Sequence, residues 1–250
     1  MNQPTDILKI FEPIELAQMD AVKLMDRQET KYAFHKQQLP HLLEELAKDY
    51  FILEVNGVRN SAYTSLYYDT PDMFLYHQHH NGRRNRYKIR HRTYLESGLS
   101  FFEIKFKNAK GRTQKSRILL QQDDSTFELE KNHFILKKTP VDPQTLKPVV
   151  WINYKRMTLV SKHSLERLTI DTGLEVGFGS NAIALPGLVI AEVKQASKAV
   201  SVFIQLMKNL HIRPGSLSKY CMAISLTQAD VKKNRFKPYL NQLTKYDVTY

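Results

Sequence analysis

A run of alternating cations, RRNRYKIRHRTY, occupies residues 83–94 of this chain. The basic residues at every second position are Arg84, Arg86, Lys88, Arg90 and Arg92. A helix would distribute these side chains around its circumference, whereas a β-strand directs all of them to one face. Such a face repels itself when nothing is bound. The run therefore predicts a strand whose basic face binds a polyanion.

The positive charge of the protein is concentrated around this run. The formal net charge is +12, and residues 83–117 contain twelve Lys or Arg residues against two acids, Glu96 and Glu103. The rest of the chain is close to neutral, with 25 basic and 23 acidic residues. This distribution indicates a local anion site or an electrostatic steering patch, and it argues against a uniformly basic protein.

Other strand-like segments show the same alternation of charged and apolar residues. The charged positions that share a face within a segment are Arg27, Glu29 and Lys31; Glu103, Lys105 and Lys107; Lys115 and Arg117; Arg167 and Asp171; and Glu192 and Lys194. One interpretation is that these are the solvated faces of an antiparallel sheet. Solvated faces usually mix both charge signs, however, and like charges opposite each other destabilise a sheet.

A closed sheet explains the pattern better than a solvated one. If the strands form a barrel, the charged faces line a polar tunnel and helices cover the apolar faces outside. Cations in the tunnel would hold a phosphate chain, and carboxylates would hold a divalent metal. We therefore predict an α+β fold in which an antiparallel sheet closes into a β-barrel with helices packed outside.

The chain reads as one domain over residues 1–250, with a core of about 25–226 and a helical C-terminal tail. Helices are predicted at residues 38–50 and 198–210, and NAKGR marks a hairpin turn between two strands. No apolar run approaches the roughly 18 residues of a membrane span. The N-terminus has no signal-peptide pattern, and the single cysteine excludes an internal disulfide and a cysteine-based zinc site. These features predict a cytoplasmic protein.

Several blocks resemble the VTC-domain polyphosphate polymerases, within the triphosphate tunnel (CYTH-like) superfamily. RQETKY, at residues 27–32, is similar to the VTC variant of the opening signature, in which Arg27 replaces the first acid of E-x-E-x-K. The blocks that follow in order are SLYYDTPDMFLY, KIRHRTY, FFEIKFKNAKGRTQKSRI, YKRMTLVSKHSLERLTIDTGL, AEVKQ and SLSKY. The resemblance covers residues 25–224, and it departs from yeast-type members at Ser216, where they have a lysine.

The resemblance implies an antiparallel eight-stranded β-barrel, the triphosphate tunnel, that makes polyphosphate from ATP with Mn²⁺ or Mg²⁺. The residues implied in catalysis are Lys31, Arg90, Arg92 and Lys105. The residues implied in phosphate binding are Arg27, Lys31, Arg86, Lys88, Arg90, Arg92, Lys105, Lys115, Arg117, Arg167, Lys194, Ser218 and Lys219. Glu192 is the chief implied metal ligand, supported by Glu29 and Glu103. A membrane-protein partner at the inner face of a membrane stays open.

Three other functions stay open beside polymerisation. A tunnel triphosphatase would hydrolyse inorganic triphosphate or a nucleotide with the same residues, and a non-catalytic polyphosphate or nucleotide sensor would bind with them. A nucleic-acid-binding module would use the basic strand to follow a phosphate backbone. Acids that share faces with the lysines, such as Glu29 and Glu192, would repel that backbone, so nucleic acid is disfavoured.

Four further features have both a functional and a structural interpretation. HQHHNG supplies three histidines, but their spacing does not place them on one helix face, so a solvated helix end is favoured over a metal site. Tyr67 and Tyr68 are predicted to be barrel wall in preference to base contacts. Cys221 is predicted to be a small buried residue, and Asp69 to mark the start of a helix.

Overall fold

The computed structural model describes residues 7–19, 28–120, 127–195 and 200–247. The strands are β1 (Pro13–Ile14), β2 (Gln28–His35), β3 (Tyr50–Leu53), β4 (Ser61–Asp69), β5 (Arg86–Tyr94), β6 (Ser100–Lys107), β7 (Thr113–Leu120), β8 (Lys147–Ser161), β9 (Glu166–Gly177), β10 (Ile183–Leu185) and β11 (Leu188–Gln195). The α-helices are α1 (Leu16–Met19), α2 (Leu39–Leu46), α3 (Phe74–His80), α4 (Phe127–Lys138), α5 (Val202–Asn209), α6 (Lys219–Thr227) and α7 (Lys237–Leu240). Short 3₁₀ helices lie at Leu8–Ile10, Lys36–Gln38, Pro143–Thr145, Gly179–Asn181, Asn234–Phe236 and Leu243–Tyr246.

The strands form one sheet whose main path is β2-β11-β9-β8-β4-β5-β6-β7. Every neighbouring pair in this path is antiparallel. Three short strands extend the sheet: β1 pairs with β3, β3 pairs with β8, and β10 pairs with β9. The eight strands of the path agree with the predicted number and direction.

The predicted closure of the barrel needs correction. Within the described ranges, β2 and β7 exchange no backbone pairing, so the eleven-stranded sheet is open. The backbone N–H of Gly215 donates to the carbonyl of Lys31 at 2.8 Å, so the segment before α6 partly covers the outer edge of β2. Alternation along a strand sets which face a side chain takes, but it does not set whether the first and last strands meet.

The two ends of the open sheet nevertheless curve towards each other. Glu29 on β2 and Glu192 on β11 lie close enough to Lys105 on β6 to interact with its charge. Strand register places the predicted charged positions on the same, concave side, which we call the inner face. Its charged residues are Glu29, Lys31, Arg86, Lys88, Arg90, Arg92, Glu103, Lys105, Lys107, Lys115, Arg117, Arg156, Arg167, Asp171, Glu192 and Lys194.

Apolar residues on the other side of the sheet pack against helices, as predicted. One core joins Leu42, Leu43 and Leu46 of α2 and Phe203 of α5 to residues of β2, β8, β9 and β11. Both helices have amphipathic spacing, which buries one stripe against the strands. A second core joins Ile135 of α4 and neighbouring apolar residues to β5 and β6. These helices support the strands from outside.

Helix α6 behaves differently because it packs inside the curve of the sheet. Its residues 220–225 are all buried, and they contact Tyr67, Ile152 and Ile190 from the inner side of β4, β8 and β11. Such a helix is apolar around most of its circumference, which is typical of a helix enclosed by other elements. One end of the concavity is therefore filled by α6. Among the described residues, no helix is long and apolar enough to cross a membrane.

Candidate functional site

Strand β5 presents the basic run as the alternation predicts. Arg86, Lys88, Arg90 and Arg92 face inward, and Ile89 on the opposite side is fully buried in the outer core. Arg84 precedes the strand and is exposed. The alternation of β5 thus places four cations in one line along the inner face.

Arg90 is held by a buried carboxylate. Its Nε donates to Oε2 of Glu103 on β6 at 2.7 Å, and Lys115 on β7 pairs with the other oxygen of that carboxylate. Burial alone would raise the pKa of Glu103, but the charges of Arg90 and Lys115 outweigh it and lower the pKa to about 2. Glu103 is therefore ionised at neutral pH and fixes the direction of the Arg90 guanidinium.

A second buried carboxylate holds two cations on the far side of the concavity. Asp171 on β9 accepts two hydrogen bonds from Arg156 on β8, at 2.6 and 2.8 Å, and also pairs with Lys219 at the start of α6. Burial would raise the pKa of Asp171, but Arg156 and Lys219 lower it to about 2. This carboxylate joins the sheet to α6 and sets the position of Lys219.

Two tyrosine rings lie between the arginines of these clusters. The rings of Tyr63 and Tyr154 are stacked with centroids 5.3 Å apart. The guanidinium groups of Arg92 and Arg156 lie 5.2–5.8 Å from the ring centroids, within the range of cation–π attraction. Arg92 is also buried and donates to Oγ of Ser65 at 3.1 Å. The aromatic wall keeps like charges apart while holding both guanidinium groups on the inner face.

Lys31 lies between two carboxylates on neighbouring strands. Its Nζ is 3.1 Å from Glu29 on β2 and 3.4 Å from Glu192 on β11. The side chains of Glu29 and Glu192 are 30% and 21% exposed, so both remain open to solvent. Burial lowers the pKa of Lys31, but the charges of Glu192 and Glu29 outweigh it and raise the pKa. Lys194 provides a second cation for Glu192.

Lys88 lies beside the N-terminus of α6. Its Nζ donates to Oγ of Ser218 at 2.7 Å, and the same oxygen accepts the backbone N–H of Cys221 and so caps the helix. Burial lowers the pKa of Lys88 to about 8, and the like charges of Lys31 and Lys105 act in the same direction. Lys88 therefore connects the basic strand to the helix that fills the concavity.

The remaining predicted residues are placed as follows. Lys105, Arg117 and Arg167 lie on the inner face by strand register, and Arg117 stacks on the ring of Phe101 at 4.3 Å. Arg86 lies at the outer end of the β5 row and donates to the carbonyl of Arg83 at 2.8 Å. Arg27 lies outside the described residues.

The carboxylates differ in their fitness to hold a divalent metal. Mg²⁺ and Mn²⁺ take oxygen ligands, and Mg²⁺ is commonly held by one or two carboxylates together with substrate phosphates and water. Glu29 and Glu192 fit this pattern because both are part-exposed and converge on Lys31. Glu103 is fully buried between two cations. The described part of the chain has no group of three metal-ligating side chains, so bound phosphate would have to complete the coordination.

The competing motifs have mainly structural roles. His80 is buried against Phe236, which corrects the prediction of a solvated helix end, and His79 bonds the carbonyl of Tyr87 at 3.0 Å. Tyr67 is buried wall that bonds Arg90 at 2.9 Å. Cys221 is buried, as predicted.

Asp69 is the last residue of β4, five residues before α3, and its carboxylate caps the first turn of this helix and ties it to α6. Its carboxylate accepts the backbone N–H groups of Leu75 and Tyr76 at 2.8 and 2.9 Å and the hydroxyl of Tyr220. Because Asp69 is completely buried, these hydrogen bonds fix the position of α6 inside the sheet.

Arg156 and its partner Asp171 are inner-face residues whose role the sequence reasoning missed. Alternation along NYKRMT places Tyr154, Arg156 and Thr158 on one face of β8, and this signal was available in the sequence. Asp171 shares a face with Arg167, but its partner Lys219 is 48 residues away in the chain. Only the folded sheet brings these charges together.

Comparisons with known proteins agree with the fold and the family. The VTC domain family matches residues 26–228. A Bacillus halodurans protein described as a "putative adenylate cyclase" has a similar structure, with 16% identity, a TM-score of 0.55 and coverage of 82% of this chain and 100% of that chain. The Hippeastrum protein HpAC1, described as having a dominant triphosphatase activity, shares 14% identity at a TM-score of 0.54, covering 82% of this chain and 98% of that chain. No curated protein sequence matches.

Proposed function

Because this chain belongs to the VTC domain family, we propose that it is a metal-dependent polyphosphate polymerase that transfers the γ-phosphoryl group of ATP onto a growing chain. The observation that carries the proposal is the composition of the inner face. Cations from several strands meet there, and two part-exposed carboxylates flank Lys31 among them. A surface of this kind suits a chain of phosphates bound with a metal.

The cations have complementary roles in this proposal. Arg90 and Arg92 give planar, paired donors to phosphate oxygens, whereas Lys31 and Lys105 give compact charges that follow the transferred group. Phosphoryl transfer needs alignment and charge neutralisation and no covalent nucleophile. Glu103 contributes by holding Arg90 in a fixed direction, so that little reorganisation is required when phosphate binds.

Glu192 and Glu29 would hold Mn²⁺ or Mg²⁺. The metal would neutralise charge on the phosphate oxygens and help to align them. Burial acts to raise the pKa of Glu192, but Lys194 and Lys31 lower it, so the carboxylate stays ionised at neutral pH. Lys31, which contacts both carboxylates in the protein alone, would then turn towards phosphate.

The proposed reaction balances as a single displacement. An oxygen of the terminal phosphate of the chain attacks the γ-phosphorus of ATP and forms a new P–O bond. The bond between the γ-phosphorus and the bridging oxygen of the β-phosphate breaks, and ADP leaves with that electron pair. The cations of Arg90, Lys105 and Lys31 stabilise the charge that spreads over the transferred group.

Hydrolysis is the second candidate function. It is favoured by the structural similarity to HpAC1, which is described as having a dominant triphosphatase activity. The same cations and carboxylates would then bind a triphosphate, and water would replace the chain phosphate as nucleophile. The two functions differ in what occupies the attacking position, so their products separate them.

The test is to incubate the purified protein with ATP and Mn²⁺ and to follow polyphosphate, ADP and free phosphate together. Polymer with stoichiometric ADP is the expected result. Free phosphate without polymer would replace the polymerase by a triphosphatase. If tripolyphosphate binds but neither product forms, the protein is a sensor and both enzymatic functions are wrong.

A matched pair of variants tests the role of the metal carboxylates. Glu192→Gln should abolish the dependence of activity on Mn²⁺ concentration, because the amide is a much weaker ligand for a hard cation. Glu175→Gln is the control, since Glu175 is an exposed carboxylate on the neighbouring strand β9. An unchanged Mn²⁺ titration in Glu192→Gln would remove Glu192 from the metal site.

A further inference from the structure

A group of cations extends from the end of the inner face, at Arg86 and Lys107, to the loops beside it. The first residue of β5, Arg86, pairs in register with Lys107, the last residue of β6. The tight turn from β6 to β7 follows Lys107. Gly111 adopts φ +79° in this turn, a left-handed conformation that a side chain would strain. We call this group the mouth patch: Arg83, Arg84, Arg86, Lys107, Lys110 and Arg112.

No acidic side chain among the described residues pairs with the mouth patch. Within the described ranges its six residues form no ion pair, and Arg86 bonds only a backbone carbonyl. Glu96, one of the two acids between residues 83 and 117, lies at the opposite end of β5, where it accepts the N–H of Ala62 at 2.7 Å. A cluster of like charges without counter-ions is unfavourable in the protein alone.

This unpaired group contrasts with the cations deeper on the inner face. Arg90, Arg156 and Lys31 each have at least one carboxylate within ion-pair distance. These three deeper cations are therefore compensated before a ligand arrives, whereas no carboxylate among the described residues pairs with the mouth patch. Such a patch gains most from a ligand that brings several negative charges at once.

The patch is continuous with the proposed site along a single line. From Arg90 the row passes through Lys88 to Arg86 at the start of β5, and Lys105 and Lys107 run beside it on β6. Arg84 lies two residues before the strand, in a bend. At the rise of a β-strand, the four residue steps from Arg90 to Arg86 span about 13 Å. A linear polyanion bound at Arg90 could follow this row and remain in contact with basic side chains along its length.

We infer that the mouth patch is an outer subsite for the part of a polyphosphate chain that extends beyond the inner face. This inference rests on the proposed function and deepens it, because it makes chain length a determinant of affinity. Short phosphates fill only the inner face, whereas long chains also contact the patch. The patch also gives the chain a direction, from the inner face past Lys88 to the turn of β6 and β7.

An anionic lipid surface has the same phosphate chemistry but fits the patch less well. Protein surfaces that bind membranes usually combine cations with apolar side chains that enter the lipid. Among the described residues, no exposed large apolar side chain lies in the two segments that carry the patch, residues 83–86 and 107–112. The cations instead follow a row that leads into the concavity, as a single chain requires.

The test compares two ligands with two matched variants. The patch variant carries Arg83→Gln, Arg84→Gln, Lys110→Gln and Arg112→Gln, which are exposed and outside the proposed catalytic set. The control variant carries Lys155→Gln, Lys208→Gln, Lys237→Gln and Lys245→Gln, which remove the same charge from exposed positions elsewhere. Binding of tripolyphosphate and of long-chain polyphosphate is measured by calorimetry at several salt concentrations.

The patch variant should bind long-chain polyphosphate at least about tenfold more weakly, with a shallower salt dependence, because fewer counter-ions are exchanged. Its affinity for tripolyphosphate, and both affinities of the control variant, should change by less than about twofold. Equal losses for both ligands, or no loss for either, would overturn the outer subsite while leaving the proposed function intact.

Two further outcomes separate the alternatives. If the unaltered protein fails to bind tripolyphosphate, the proposed function itself is wrong. Anionic and neutral phospholipid vesicles are tested in a parallel sedimentation assay. If the patch variant loses binding to anionic vesicles but keeps its affinity for long-chain polyphosphate, the patch is a lipid surface and the inference is overturned.

Discussion

The inner face contains two kinds of carboxylate, and they differ in burial. Glu103 and Asp171 have side chains that are each 2% exposed, and each contacts two cations. Glu29 and Glu192 are part-exposed and share Lys31. Desolvation is large for a buried charge, so the first pair needs its cations at all times. The second pair is open to solvent, so under the proposed function it would exchange a lysine for a metal ion at lower cost.

This difference assigns the two pairs to different tasks. A buried carboxylate that accepts several charge-assisted hydrogen bonds orients arginines and lysines, but it has no free oxygen for another partner. A part-exposed carboxylate fixes the direction of its cation less firmly, and its oxygen atoms stay accessible to a further ligand. Four predictions test whether the two pairs differ in this way, in order of decreasing expected change in free energy.

Asp171→Asn should have the largest effect on stability. The amide leaves the charges of Arg156 and Lys219 without a counter-charge near the core, and breaking such a buried pair destabilises a protein by about 3 kcal/mol or more. Urea denaturation measures the loss. Asp230→Asn, at an exposed position, is the control and should change the free energy of unfolding by less than about 0.5 kcal/mol. A loss below about 1 kcal/mol for Asp171→Asn would contradict the positioning role.

Glu103→Gln should destabilise the protein by about 2 kcal/mol at neutral pH, less than Asp171→Asn, because its partner Lys115 is 42% exposed and regains water. The effect should depend on pH. The folded-state pKa of Glu103 is about 2, below the ordinary value near 4.3. Its stabilisation is complete above the unfolded-state pKa and is lost as pH falls through the folded-state pKa.

The pH dependence of Glu103 is measured as the difference in unfolding free energy between the unaltered protein and Glu103→Gln. This difference should be constant from pH 7 to pH 5 and should decrease between pH 4.5 and pH 2.5. A difference that stays constant over the whole range would mean that Glu103 is not held in its ionised form by Arg90.

Lys88 represents the opposite case, a part-buried cation without a carboxylate partner among the described residues. Its pKa is about 8, so Lys88 loses its charge as the pH rises above 8. A bound polyanion should favour the protonated, charged form of Lys88. Affinity for ATP should therefore fall by up to about tenfold, or 1.4 kcal/mol, between pH 7 and pH 9.

Lys88→Arg is the matched control for this pH effect, because arginine keeps its charge at pH 9. Tyr67 also titrates near pH 8: burial would raise its pKa, but Arg90 and Arg92 lower it to about 8. Tyr67 is present in both proteins, as is the titration of ATP. Only the difference between the two binding profiles therefore reports on Lys88. Identical profiles would mean that the titration of Lys88 does not affect the binding of ATP.

Glu29→Gln should have the smallest effect on stability, about 0.5 kcal/mol, because Lys31 keeps Glu192 as a partner and exposed pairs contribute little. Thermal and urea denaturation test this. Glu54→Gln gives a matched control, since Glu54 also pairs with a cation at a part-exposed position. A loss as large as that of Asp171→Asn would remove the distinction between the two kinds of carboxylate.

The alternation of residues predicted much of the sheet and of the site. It placed Arg86, Lys88, Arg90 and Arg92 on one face, because the geometry of a strand leaves each side chain only two directions. The same reasoning predicted the hairpin at NAKGR and the helices over the apolar face. Such features depend on near neighbours in the chain, which sequence patterns report directly.

Features that depend on distant residues were not predicted. The sheet is open where a closed barrel was expected. The outer edge of β2 pairs with Gly215, and β7 does not reach it in the described residues. The Arg156–Asp171–Lys219 cluster was missed, since it joins three elements. The position of α6 inside the sheet also depends on Asp69, which lies 151 residues from Tyr220.

The amino-acid sequence by itself determined the direction of the charged side chains and the local excess of positive charge, because both follow from residue type and a two-residue period. Only the tertiary structure decided which carboxylates are buried and which remain open to solvent. Glu103 and Glu192 look alike as acids beside lysines on strands. Their chemistry differs because desolvation depends on every element packed around a charge, and these elements come from the whole chain.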